Sequence, residues 1–254
     1  MIGVYKETIG DTISSIIVVD AAKKDEPLPV VTYFHGFTSA KEHNLPIAYL
    51  LAEKGYRVIL PDSKLHGDRE EDISSLKLHV SFWDIVMQNV KEFNDIKNYL
   101  DDHNLILDER IGVAGTSMGG ITTSAVLTKY PWIKTAAILM GSPKITTYAK
   151  ALVSSYKKAG DLPITDEEIE LIYNQLEELD LSLQPEKLEQ RPLLFWHGDQ
   201  DPTVPFDHSH SFYEETREMY KDKGNIKFLR EKGQDHKVTR FAILETVKWF
   251  EKNL

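Results

Sequence analysis

The sequence predicts an α/β protein with a mostly parallel sheet covered by helices on both faces. Three observations lead there. Short apolar segments rich in β-branched residues alternate along the chain with segments that carry apolar residues at helical spacing. One of the former, Leu28 to Phe34, is apolar almost without a break, as a strand buried on both faces must be. The length of 254 residues suits one such domain with an insertion and is enough to bury a large core.

In chain order, Thr12 to Val19 reads as a β-branched strand, and Lys23 to Pro27 as a polar turn before the Leu28–Phe34 strand. Leu45, Ala48, Leu51 and Ala52 mark a helix that Gly55 closes, and Arg57 to Leu60 is the next strand. Pro61 to Ser75 reads as a loop. Phe82, Val86, Val90, Phe93, Ile96 and Leu100 then outline a long amphipathic helix. A strand at Arg110 to Ala114 leads through a glycine-rich turn into a helix from Ile121 to Tyr130. Lys134 to Met140, Pro192 to Trp196 and Ile226 to Arg230 are further strands. Phe206 to Tyr220 is expected to be helical, and Val238, Phe241, Leu244, Val247 and Phe250 are expected to line a closing helix.

The alternation breaks between Pro143 and Gln190. That stretch looks helical, with a capping box at Thr165 to Glu168. It divides the chain into an α/β core, residues 1–142 and 191–254, and a helical cap insert, residues 143–190. An insert at the carboxyl end of a strand is placed to roof a ligand pocket. Its ten acidic residues (Asp161, Asp166, Glu167, Glu168, Glu170, Glu177, Glu178, Asp180, Glu186, Glu189) face five lysines, which leaves −5 of the chain's −10. Its leucines are expected to face inward and form an apolar site.

That net charge argues against a nucleic-acid partner, which would need a basic footprint. With no cysteine there are no disulfides and no thiolate chemistry. No apolar run approaches the roughly 20 residues of a membrane span. The first residues lack the basic and apolar pattern of a signal peptide. A cytoplasmic protein with a small-molecule substrate, no membrane contact and no metal is the expectation.

The chemistry gathers at Gly115-Thr116-Ser117-Met118-Gly119-Gly120. A G-x-S-x-G motif between a strand and a helix is a nucleophile elbow. Glycines stand where a side chain would strike the neighbouring strand or helix, and the helix N-terminus supplies N–H groups for an oxyanion. A serine hydroxyl needs a base, and the base needs a carboxylate. His236 stands after the last strand. Asp199 and Asp201 both stand after the Pro192–Trp196 strand, on the same rim as Ser117. His208 and His210 are weaker candidates for the base, since they fall in a helix and read as solvated positions. For the oxyanion hole the Met118 N–H is one donor. The loop His35-Gly36-Phe37 offers the Phe37 N–H as the other.

These segments resemble the α/β-hydrolases, near the dienelactone-hydrolase and prolyl-oligopeptidase-like branch, and most of all the YitV-type esterases of bacilli. The likeness covers essentially the whole chain. It is carried by His35 to Asn44, Gly115 to Thr123, Leu181 to Leu188, His197-Gly198-x-x-Asp201-x-x-Val204-Pro205 and Asp235 to Val238. The resemblance implies the α/β-hydrolase fold, serine-ester hydrolysis without a cofactor, and Asp201 as the acid. Thioester hydrolysis, acylaminoacyl-type peptidase activity and a non-catalytic ligand receptor are the alternatives. Leu65-His66-Gly67-Asp68-Arg69 resembles a family loop near the pocket, with no role attached to it.

Overall fold

A computed structural model describes residues 1–160 and 164–254. Its strands are β1 (Ile2–Ile9), β2 (Ile13–Asp20), β3 (Leu28–Phe34), β4 (Arg57–Pro61), β5 (Ile106–Thr116), β6 (Thr135–Leu139), β7 (Leu193–Gly198) and β8 (Ile226–Glu231). Its helices are α1 (Leu45–Glu53), α2 (Ser75–Val80), α3 (Phe82–Asp102), α4 (Met118–Lys129), α5 (Ile145–Ala159), α6 (Asp166–Glu177), α7 (Phe206–Arg217) and α8 (Arg240–Asn253). The strands form one sheet in the order β1-β2-β4-β3-β5-β6-β7-β8. From β4 to β8 every neighbour is parallel, and β2 runs antiparallel to both β1 and β4. This is the α/β-hydrolase fold.

Successive strand residues point to opposite faces and so build two cores. Phe34, Ile111 and Val113 pack with Phe93, Ile121 and Phe212 on the side of α3, α4 and α7. Tyr33, Ala114 and Trp196 pack with Leu51, Val247 and Phe250 on the side of α1 and α8. All six strands of the parallel block therefore end at one rim, where the polar residues of the sequence motifs collect.

Three local readings change. Ile2–Ile9 is a strand that the sequence reading left without structure. It pairs with β2 from Ile2↔Asp20 to Ile9↔Ile13 and is half exposed, so its apolar signal is thin. Between the Pro61–Ser75 loop and α3, where the sequence reading placed no element, stands a short helix, α2, whose first turn is capped by Ser74 Oγ accepting from Lys77 N–H (3.2 Å). In α8 the buried face is Ala242, Thr246, Val247, Trp249 and Phe250, while Phe241 is 46% exposed and Val238 precedes the helix.

After β6 come α5 and α6. The capping box is present: Thr165 Oγ1 accepts from Glu168 N–H (3.2 Å), and Glu168 accepts from Thr165 N–H (2.7 Å). Buried Asp180 ties the far end of this segment back to its start by accepting from Thr146 N–H (2.7 Å) in the first turn of α5. The described leucines behave only in part as expected: Leu152 lines the cavity beside Ser117. Leu176, Leu179 and Leu181 are buried in the core beneath α4, and Leu171 and Leu183 are exposed. The helices are amphipathic toward two different neighbours, which a one-sided reading of the leucines could not separate. Asp161 lies outside the described residues.

Candidate active site

Ser117 sits between β5 and α4 with φ 56° and ψ −115°. A serine held there is strained by about 1–3 kcal/mol, so its surroundings must enforce the turn. Ser117 N–H donates to Leu139 O (2.9 Å), and Ile121 N–H donates to Ser117 O (2.9 Å). The glycines explain how strand and helix come so close. A Cβ on Gly115 would lie 2.3 Å from the Gly119 backbone, and one on Gly119 would lie 2.1 Å from Phe34 O. Either substitution would push α4 off the sheet and carry Ser117 with it.

Three loops at the strand ends meet at this hydroxyl. His236 Nε2 lies 2.8 Å from Ser117 Oγ, and His236 Nδ1 lies 2.6 Å from Asp201 Oδ2. A carboxylate can only accept, so Nδ1 carries the proton and Nε2 is left as acceptor for the serine hydroxyl. Asp201 Oδ1 accepts from Thr203 N–H (2.8 Å) and Val204 N–H (3.0 Å). His197, fully buried, donates from Nε2 to Asp201 Oδ2 (3.1 Å) and to Val204 O (3.1 Å). Burial pushes the Asp201 carboxyl upward. The bonds from His197, His236 and Thr203 outweigh that and hold it well below the usual carboxylate range. His197 is a site residue that sequence reasoning missed, although it opens the same motif as Asp201.

The other candidates lie elsewhere. Asp199 faces away, bound to Arg230 (2.8 Å) and Gly233 N–H (2.7 Å), where it braces the loop that carries His236. His208 is not the solvated helix position expected. It is half-buried against Tyr148, with Nδ1 3.0 Å from Ser142 Oγ, and burial pushes its pKa down. His210 stacks on Phe206 at the helix surface. Among the described residues no group of three or more His, Asp or Glu could hold a metal ion. Among the described residues no helix is long and apolar enough to cross a membrane.

Two hollows flank Ser117. One is an apolar cavity of about 220 Å³. Tyr148, Leu152, Ile164, Ile169 and Ile172 wall it from the 143–190 segment, and His79, Phe82 and Trp83 wall it from α2 and α3. Among the described leucines of the segment only Leu152 reaches it. The other hollow is an open groove of about 490 Å³ beside Ser39, His43, Asn44 and Lys237. The loop carrying Phe37 separates them and touches both. Among the described residues neither the Phe37 N–H nor the Met118 N–H donates to a protein acceptor.

A polar clamp lies behind that loop. Lys41, with no exposed side chain, binds Asp62 and reaches Asp68 (2.9 Å) and Glu42 (3.2 Å). Burial lowers its pKa, but Asp62 and Asp68 hold it above the usual lysine value. Lys41 N–H donates to Asp62 Oδ1 (3.0 Å). Arg69 grips Glu92 through two bonds of 2.8 and 2.7 Å.

Residues 45–254 match the prolyl oligopeptidase family. The chain belongs to this family. It is 43% identical to "Putative esterase YitV" of Bacillus subtilis, over all of both chains. It is 33% identical to "Esterase YjfP" of Escherichia coli, over 91% of this chain and 92% of that one. The crystal structure of TT1662 from Thermus thermophilus superposes with a TM-score of 0.75 at 18% identity, covering 99% of this chain and 98% of the other. This family member is thus a YitV-like α/β-hydrolase.

Proposed function

We propose that the chain is a serine esterase acting on small carboxylic esters through an acyl-enzyme. Ser117 attacks the acyl carbon while His236 Nε2 takes its proton. The proton then passes to the departing alcohol, and a water repeats the cycle on the acyl-enzyme. Asp201 keeps His236 in the tautomer with its proton on Nδ1 and stabilises the imidazolium that forms. The Phe37 and Met118 N–H groups receive the oxyanion, at the N-terminus of α4 where the helix dipole adds to them. No cofactor takes part.

The observation that carries this is the unbroken relay from Asp201 through His236 to Ser117, opening on an apolar cavity. The esterase names of the two relatives agree with it. Residues 143–190 act as a cap: their apolar side chains close the cavity that takes the acyl chain. The alcohol part lies along the groove past Ser39, His43 and Lys237, where polar side chains suit a hydrophilic group.

A fluorophosphonate should label Ser117, because only an activated serine attacks phosphorus at neutral pH. Ser117→Ala should abolish labelling and lower p-nitrophenyl butyrate turnover by about 10⁶. Labelling that survives the substitution would overturn the assignment. Release of no more than one equivalent of nitrophenol would favour a ligand receptor. The family match favours one second reading, an acylaminoacyl-type peptidase. Hydrolysis of acetyl-alanine p-nitroanilide faster than of the butyrate ester would select it.

A further inference from the structure

Behind the Phe37 loop lies the loop from Asp62 to Arg69, and each holds the other through an imidazole. His35 Nδ1 donates to Gly36 O (2.7 Å), which leaves Nε2 to accept from Ser63 N–H (3.0 Å). His66 repeats the arrangement in the opposite direction. Its Nδ1 donates to Lys64 O (2.9 Å), and its Nε2 accepts from Thr38 N–H (3.0 Å). Both rings must therefore be neutral, with Nε2 as an acceptor.

Thr38 follows Phe37, so the bond to His66 fixes the peptide plane next to the proposed oxyanion donor. That peptide is not at rest by itself: Thr38 is held at φ 58°, a conformation a β-branched residue adopts only under constraint. The His66 ring also meets the Phe37 ring edge-on, with centroids 5.3 Å apart. One side chain thus holds both the backbone and the ring around Phe37.

We infer that His66 is a positioning residue for the reaction: as a neutral acceptor it holds the Phe37–Thr38 peptide so that the Phe37 N–H points at the oxyanion. This rests on the esterase proposal above. It gives the Leu65–Arg69 loop a role in transition-state binding rather than substrate contact. Loss of the acceptor would release Thr38 from its strained conformation and swing the Phe37 N–H away, while the cavity for the acyl chain would stay intact. Protonation of His66 has the same consequence, because an imidazolium has no acceptor and would set its own N–H against that of Thr38. Burial of His66 opposes that protonation and prevails over the bond to Lys64 O and the charges of Asp62 and Glu70, which favour it; the buried Lys41 ammonium behind Asp62 is a like charge and also opposes it.

The test compares wild type, His66→Gln and His66→Leu on p-nitrophenyl butyrate. Glutamine can present a carbonyl near the Nε2 position and does not titrate, whereas leucine offers no acceptor. At pH 8 His66→Leu should lose about 10–100-fold in kcat with KM within about twofold, as expected for a misplaced oxyanion donor. His66→Gln should recover most of that loss. On the acid side, log kcat of the wild type should steepen beyond the slope of 1 that loss of a single base gives, because His66 takes up a second proton. In His66→Gln the slope should stay at 1. Unchanged kcat in His66→Leu, or equal losses in both variants, would overturn the inference. If His66→Leu fails to fold, the pH slope of His66→Gln decides alone, and a slope like the wild type's overturns it. Absence of wild-type turnover would instead remove the esterase proposal itself, a separate outcome.

Discussion

On the cavity side of Ser117 the wall is Tyr148, Leu152, Ile169 and Ile172 with Phe82 and Trp83 opposite. On the other side Lys41, Asp62, His35 and His66 form a lattice of directed bonds around a few backbone N–H groups. The first wall is held by contact area, which has no direction. A lost methylene there costs about 1 kcal/mol, and neighbours partly close over the gap. The second wall depends on donors and acceptors meeting at about 3 Å. A partner removed there leaves a buried polar group bare. Under the proposed function this contrast is a division of labour, in which the apolar wall would choose among substrates by volume and the polar wall would hold the Phe37 loop in one shape.

The largest effect belongs to the relay that the two walls share. Asp201→Asn should cost about 10⁴ in turnover, since an amide on Nδ1 favours the wrong tautomer of His236. Asp199→Asn should cost less than about tenfold, because Asp199 reaches the site only through its loop. Kinetics of the pair at pH 8 check this, and a reversed order would move the acid to Asp199.

The polar wall should announce itself in stability. Burial pushes the His35 pKa down to about 4, only partly opposed by the bond to Gly36 O. In the unfolded chain the ring titrates near 6.5, so between these values the unfolded state binds more protons and stability rises with pH. The contribution is complete above about pH 6.5 and is lost as the pH falls toward 4, on the order of 3 kcal/mol in all. Urea unfolding of wild type and His35→Gln across that window should give curves that converge on acidification. Parallel curves would mean that His35 does not have to be neutral in the fold.

The apolar wall should respond more mildly. Ile172→Ala should enlarge the cavity and move the best p-nitrophenyl ester to a longer acyl chain, with changes of about tenfold between adjacent chain lengths at most. A chain-length profile identical to wild type would place the acyl group elsewhere and remove the cap from the proposal.

The smallest effect is electrostatic. The outer face of α6 carries Asp166, Glu167 and Glu170. Its field should favour a butyrate ester over the matching hemisuccinate by a few-fold at low salt. The gap should close near 1 M salt, where the Debye length is about 3 Å. Equal kcat/KM at both salt levels would leave the acidic face as a solvated surface.

Sequence alone determined the sheet class and the three segments whose side chains meet at Ser117. Period-2 and period-3.6 patterns are local, and each of Ser117, Asp201 and His236 directly follows a strand or its adjoining turn, so the common rim follows from a parallel sheet. Strand β1 escaped because an edge strand half in water has little apolar pattern, and α2 because it is six residues long and none of them is fully buried. Which acid faces His236 was not legible from residue types, since Asp199 and Asp201 are two residues apart and either could point inward. Only the tertiary structure decided that Asp201 turns toward the imidazole while Asp199 turns to Arg230. It also decided that His35 and His66, 31 positions apart, serve each other's loops, and that isoleucines, tyrosines and Leu152 of the insert reach the cavity while Leu176, Leu179 and Leu181 go to the core. The physical reason is the same in each case: the direction of a side chain at a strand end or on a two-sided helix is set by the partners it meets across the fold, and those partners are distant in sequence.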